Sequence, residues 1–292
     1  MRPPVSSSPV QRFRAWHQRP AVRGGLRLLG LVVVVCGAIW SLATLELNWR
    51  SLSPGLLFLN LLVLTPLNIL IAAIALRVNA RTLGCDIPNR RSIYTVATAN
   101  VAELLPLPGG AVVRGAALVD AGAGIGDSTR IIILTSLLTL FMTLTLSLMA
   151  LTLLADPTWI WLCMASGMGL VGVLVILNRH AATRYILAMI AVRIAMLILT
   201  VLRVAVAFAT LGLLISWTEA ALYAVAPTLG AAVAIVPAGL GVNETVAAGL
   251  AALIGGSAAT AFLAVALNRV LGLCAGAVMA VALPVSKGAE AP

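Results

Sequence analysis

Apolar and polar positions alternate in long blocks along this chain, not with a period of two or of 3.6 residues. An uninterrupted apolar run from about Leu28 to Leu47 closes at Glu46, Asn48, Trp49 and Arg50. A second, about Leu56 to Leu76, is followed by Arg77, Arg81, Arg90 and Arg91. Further runs cover about Ile131–Leu154, Thr158–Leu177, Tyr185–Ile215 and Ala259–Leu283. About 20 apolar residues are needed to cross a hydrocarbon core, so these six runs predict six membrane spans. The fifth is overlong, and its reading opens with an interfacial turn containing Arg193. That reading offers Arg193 a plainer place at the cytoplasmic interface and puts Arg203 well inside the membrane region.

Four shorter apolar segments do not fit that pattern. Ser92–Leu105 and Ala111–Ala121 flank Pro106-Leu107-Pro108-Gly109-Gly110. Ala220–Val236 and Asn243–Ile254 flank Pro237-Ala238-Gly239-Leu240-Gly241. Proline and glycine interrupt a helix, and each flanking segment is about half a span. Two half-length helices about a break predict a re-entrant hairpin, whose non-helical backbone must face protein or a water-filled cavity. If all four short helices crossed fully, the chain would have ten spans.

Charge orients these elements. Arginine-rich loops after the second and fourth spans (Arg179 and Arg184 in the latter) read as cytoplasmic by the positive-inside rule. Three spans separate the hairpins, so the first enters from the cytoplasm and the second from outside. The predicted fold class is an all-α polytopic membrane protein, with six full spans and two re-entrant hairpins in an inverted repeat. Such interrupted segments in two halves of a transporter mark its binding site. Residues 1–27 read as a basic disordered cytoplasmic tail, 28–284 as one transmembrane domain and 285–292 as a short cytoplasmic tail.

Composition agrees. Of 292 residues, 61% are hydrophobic and 10% charged, with a mean hydropathy of +1.09; a soluble domain is about one quarter charged. The net charge of +10 arises almost wholly from arginine at span ends. It fits anionic lipid head groups better than nucleic acid. Cys36, Cys85, Cys163 and Cys274 are scattered, without metal-ligand or disulfide spacing. No phosphate-binding loop, acidic metal cluster or paired carboxylates occur in one segment, so no cofactor, metal or enzymatic activity is expected.

Ionisable residues at membrane depth cost on the order of 3 kcal/mol each on insertion scales. Arg114, Arg193, Arg203 and Arg269 stand there against Glu103 and Glu244, an excess of guanidinium that suits phosphate. Arg114, just beyond the first break, and the adjoining helix start would hold the same phosphate. Each residue has a plainer reading too. Glu244 suits a helix start and Arg269 its ion-pair partner. Arg203 is able to snorkel, and the glycines allow close helix packing.

Pro108-Gly109-Gly110 with Arg114, and Pro237-Ala238-Gly239-Leu240-Gly241-Val242-Asn243-Glu244 with Asn268-Arg269, resemble motifs of a known family. It is the flippase-like integral membrane family of the lysylphosphatidylglycerol synthase transmembrane region, and the similarity covers about residues 50–283. Asn100, shortly before the first break, also fits. The acid–arginine pair that this family often carries after the first motif is missing from Arg130–Thr135, so a partner for Arg114 must come from elsewhere. The resemblance implies a lipid-translocating domain in the bacterial inner membrane, without a synthase domain following. Its substrate-binding candidates are Arg114, Arg269, Glu244, Arg203, Asn243, Asn100 and Glu103. Pro106, Pro108, Gly109, Gly110, Pro237, Gly239 and Gly241 form the hairpin breaks. The expected substrate is a phosphate-bearing or polyprenyl-phosphate-linked lipid. Small organic anion transport, or a scaffold role beside envelope lipid or glycan synthesis enzymes, are the alternatives.

Overall fold

The computed structural model describes residue 39 and residues 52–103, 109–233 and 241–282. Among them every regular element is helical. Helix α1 (Pro54–Thr82) contains a π-helical turn at Asn60–Leu64. It is followed by α2 (Asn89–Ala102), α3 (Gly109–Asp120) and α4 (Ile125–Leu154). Helix α5 (Pro157–Asn178) opens with a 3-10 turn, and α6 covers Thr183–Thr210. Then come α7 (Trp217–Tyr223), α8 (Ala226–Val233), α9 (Val242–Leu253) and α10 (Ala258–Ala282).

Five helices are long and apolar enough to cross a membrane: α1, α4, α5, α6 and α10, with 22 to 30 residues each. At 1.5 Å per residue they run about 33–45 Å, against about 30 Å of hydrocarbon. Their outer faces carry bare apolar side chains such as Leu62, Trp161, Met168 and Leu187. Water would not tolerate that surface, and lipid solvates it. The chain thus has the make-up of a multi-pass membrane protein. The expected first span, Leu28–Leu47, lies outside the described residues apart from the exposed helical residue Ile39.

Helices α2, α3 and α9 have 14, 12 and 12 residues, and α8 has 8. They reach only about 12–21 Å. Helix α2 packs on α3 and α8 on α9, so the short elements do pair as two hairpins. Both hairpins also pack against α10, through α2 and α9. The last span is therefore their common wall. Polar threads cross between helices, as small hydroxyls do in apolar bundles. Thr145 and Ser166 join α4 to α5 at 2.9 Å, and Ser147 donates to the Ala221 carbonyl of α7 at 2.9 Å.

Several boundaries differ from expectation. Helix α6 is one continuous helix from Thr183 to Thr210, with no interfacial turn around Arg193. Arg193 lies ten residues in, about 15 Å along the axis, which corrects its placement at the interface. The run ends at Gly212, whose φ of 80° stops it short of Ile215. Helix α4 begins at Ile125 with Gly124 as its cap, so Asp127 is inside the first turn and pairs with Arg130 at 3.5 Å. The segment Ala220–Val236 is not one helix. It divides at Ala224-Val225, because Pro227 has no N–H and belongs in the first turn of α8. Gly109 and Gly110 are the first residues of α3, not part of a break. Outside the spans, the Asp156 carboxylate accepts the Thr158 N–H at 2.7 Å, which holds it below the usual carboxylate range and turns the chain into α5.

Candidate functional site

The second hairpin is fastened by one carboxylate. Gly241, at φ 80°, adopts a left-handed conformation open to glycine and starts α9. The Glu244 carboxylate reaches back to accept the Gly241 N–H at 3.0 Å. Its Oε1 also accepts from Arg269 Nη1 at 2.9 Å, across to α10. Glu244 is 1% exposed and Arg269 12%, so this ion pair lies in the interior. Beside it, the Asn243 side chain abuts Gly230 of α8, where a Cβ would overlap Asn243 Oδ1. That oxygen is buried without a hydrogen-bond partner among the described residues, as is Asn268 Oδ1.

Arg203 forms a second knot, 7% exposed. Its Nε donates to Asn60 Oδ1 at 3.2 Å and an Nη to the Asn268 carbonyl at 3.2 Å. Asn60 returns a bond to the Arg203 carbonyl at 3.4 Å. The planar fork of a guanidinium is what lets one side chain tie α1, α6 and α10 together. Arg203 is held inside rather than snorkelling, and no carboxylate pairs with it among the described residues.

The first hairpin has an ion pair of its own, formed within the hairpin and more exposed. Glu103 follows the last turn of α2 and pairs with Arg114 of α3 at 3.4 Å. Its carboxylate lies against Gly110, where a Cβ would meet it at 2.8 Å. The missing partner for Arg114 is thus Glu103, eleven residues back across the hairpin. It occupies the helix start expected to hold phosphate. Asn100 packs against Gly276 of α10 instead, its Cβ 3.3 Å from where a glycine-replacing Cβ would stand. Pro106, Pro108, Pro237 and Gly239 lie outside the described residues.

Arg193 was counted among the arginines at membrane depth but not among the substrate-binding candidates, and no carboxylate pairs with it among the described residues. Its Nη1 donates to the weak acceptor Met196 Sδ at 3.7 Å. It lines a cavity of about 140 Å3 with Asn68 of α1, Thr139 and Thr143 of α4, and Thr200 of α6. Sequence held one signal for this wall: Thr135, Thr139, Thr143 and Ser147 recur every four residues along an otherwise apolar span, one face of a helix.

The predicted residues therefore fall into three clusters: Glu103 with Arg114, Glu244 with Arg269 and Asn243, and Arg203 with Asn60. None of these cluster residues lines the cavity that Arg193 borders. Among the described residues no three Cys, His, Asp or Glu side chains gather as metal ligands. No family model, curated protein or solved structure matches this sequence.

Proposed function

We propose that this chain translocates a phosphate-bearing lipid between the leaflets of a bacterial inner membrane, with the head group passing between the hairpins and the tails left in the bilayer. The observation that carries this reading is the Arg193 guanidinium lining a cavity within the bundle with no carboxylate pairing it among the described residues, while the Arg114–Glu103 pair stands on the first hairpin. A monoanionic phosphate cancels the positive charge that Arg193 brings to the cavity, and reaches Arg114 by displacing Glu103. Helices of about 12–21 Å that pair as hairpins support re-entrance, since none reaches across about 30 Å of hydrocarbon. Dipping from opposite faces, they would form the inverted pair that alternating access uses. Glu244 with Arg269 then serves to hold the second hairpin on α10 or to carry a coupling proton.

The cavity's small volume favours one second reading, a secondary transporter of a small organic anion. Purified protein in liposomes separates the two. Scrambling of acyl-chain-labelled phospholipid is expected for the unmutated chain, slowed about tenfold or more by Arg114→Ala, one charged hydrogen bond's worth. Glu103→Gln is expected to weaken the competition for Arg114 and to lower the lipid concentration giving half-maximal rate. If Arg114→Ala and Glu244→Gln both scramble as fast as the unmutated chain, the assignment is wrong. Uptake of a water-soluble anion driven by a proton gradient, without scrambling, selects the transporter.

A further inference from the structure

The cavity carries more information than its positive charge. Asn68 stands at the middle of the 29-residue α1, and Thr139 at the middle of the 30-residue α4. The cavity thus lies near mid-span, where an unmet hydrogen-bonding group is costly. The hydroxyls of Thr139, Thr143 and Thr200 donate to the carbonyls of Thr135, Thr139 and Met196, at 2.9, 2.9 and 2.8 Å. A hydroxyl has one proton, so each of these oxygens is left with lone pairs alone. Asn68 Oδ1 is buried and has no partner among the described residues. The wall therefore offers up to four such acceptors, against the donors of the Arg193 guanidinium, the Asn68 amide and the Thr228 hydroxyl. A bare phosphate satisfies donors and leaves the acceptors empty. The complementary ligand is an oxyanion that brings hydrogen-bond donors of its own.

Those donors are either an ammonium or hydroxyls, and charge decides between them. Among the described residues, Arg193 is the one charged residue of the cavity wall. A phosphodiester cancels its charge, whereas an attached ammonium restores it beside the guanidinium. Hydroxyl groups add none. At about 30 Å3 per water, 140 Å3 is room for about five waters. That admits part of a small polyol phosphate and excludes an oligosaccharide.

We infer that this cavity reads a hydroxyl-bearing phosphate head group, with the phosphate on Arg193 and the hydroxyls on Asn68 and the threonine oxygens. The ligand is a polyol phosphate, carried on a lipid or free in solution. The route through the membrane rests on the translocation reading above; the selectivity does not.

The test uses the full chain in liposomes with four probes: acyl-chain-labelled phosphatidylglycerol, phosphatidylethanolamine and phosphatidylmethanol, and radiolabelled glycerol 3-phosphate. Phosphatidylmethanol is the phosphodiester control without a head-group donor. Phosphatidylglycerol is expected to cross at least about tenfold faster than the other two lipids. Thr143→Val with Thr200→Val is expected to abolish that preference, and Thr143→Ser with Thr200→Ser to keep it, because serine retains the oxygen. Uptake of glycerol 3-phosphate in place of lipid, with the same threonine dependence, also supports the inference and identifies a free polyol phosphate as the source. Equal rates for phosphatidylglycerol and phosphatidylmethanol overturn it and leave lipid translocation standing. Fastest movement of phosphatidylethanolamine overturns the charge argument, and a preference indifferent to the valine pair removes it from this cavity. If no probe crosses, both readings fall.

Discussion

Removing Arg269 isolates the most buried carboxylate described. In Arg269→Met the Glu244 side chain, 1% exposed, keeps its bond from the Gly241 N–H but loses the guanidinium 2.9 Å away. Breaking a buried pair from one side costs about 3–5 kcal/mol, because the surviving charge stays desolvated. Glu244→Gln is milder. Its amide oxygen still accepts from Gly241 and Arg269, so the loss is the step from a charged to a neutral acceptor, about 1–2 kcal/mol. A domain of this size shifts by about 2–4 °C per kcal/mol. Arg269→Met is then expected to lower Tm in detergent by roughly 6–20 °C, read by tryptophan fluorescence. Glu244→Gln should lower it by well under half as much, and the double variant by less than the sum of the two. A glutamine more damaging than the methionine, or a methionine variant within about 2 °C of the unmutated chain, refutes the claim that this pair fastens the second hairpin to α10.

Two further measurements probe the packing. Gly230→Ala sets a Cβ against Asn243 Oδ1, while exposed Gly249 has open space around it. The first is expected to cost about 1–3 kcal/mol by overpacking, and Gly249→Ala to be neutral or to gain up to about 1 kcal/mol; equal melting shifts for both would contradict the contact. Arg203→Lys keeps the charge but cannot span Asn60 and the Asn268 carbonyl together. A loss of about 1.5–3 kcal/mol is expected, and no loss would mean that the fork is not holding three helices.

Spans were legible because the bilayer constrains length and polarity together, leaving little else for Leu56–Leu76 or Ala259–Leu283 to be. The ends of those spans were less so. Arg193 looked like an interface residue because charge usually marks a boundary, yet α6 runs straight through it and the side chain lines a cavity. The division of Ala220–Val236 was readable from Pro227 and was overlooked against its apolar surroundings. Partnerships were the hardest to read. Glu103 and Arg114 are eleven positions apart and Asn60 and Arg203 are 143 apart, separations at which only folding brings donor to acceptor. The Glu244–Arg269 pair was expected as one alternative, and it is the one the coordinates contain.

The π-helical turn in α1 has a consequence for chain length. Asn60 meets Arg203 and Asn68 meets the cavity, eight positions further on. At 100° per residue, eight steps of a regular α-helix leave two side chains about 80° apart; seven leave about 20°. The wide turn, closed by the Thr65 N–H on the Asn60 carbonyl, absorbs the extra residue and returns both asparagines to the same side. Helix α1 therefore carries a spare residue. Deleting Leu62 or Val63, both on the outer face, would relax the turn to ordinary α-helix with Asn60 and Asn68 still aligned. A single deletion a few turns later would swing one end of the helix through about 100° against the other.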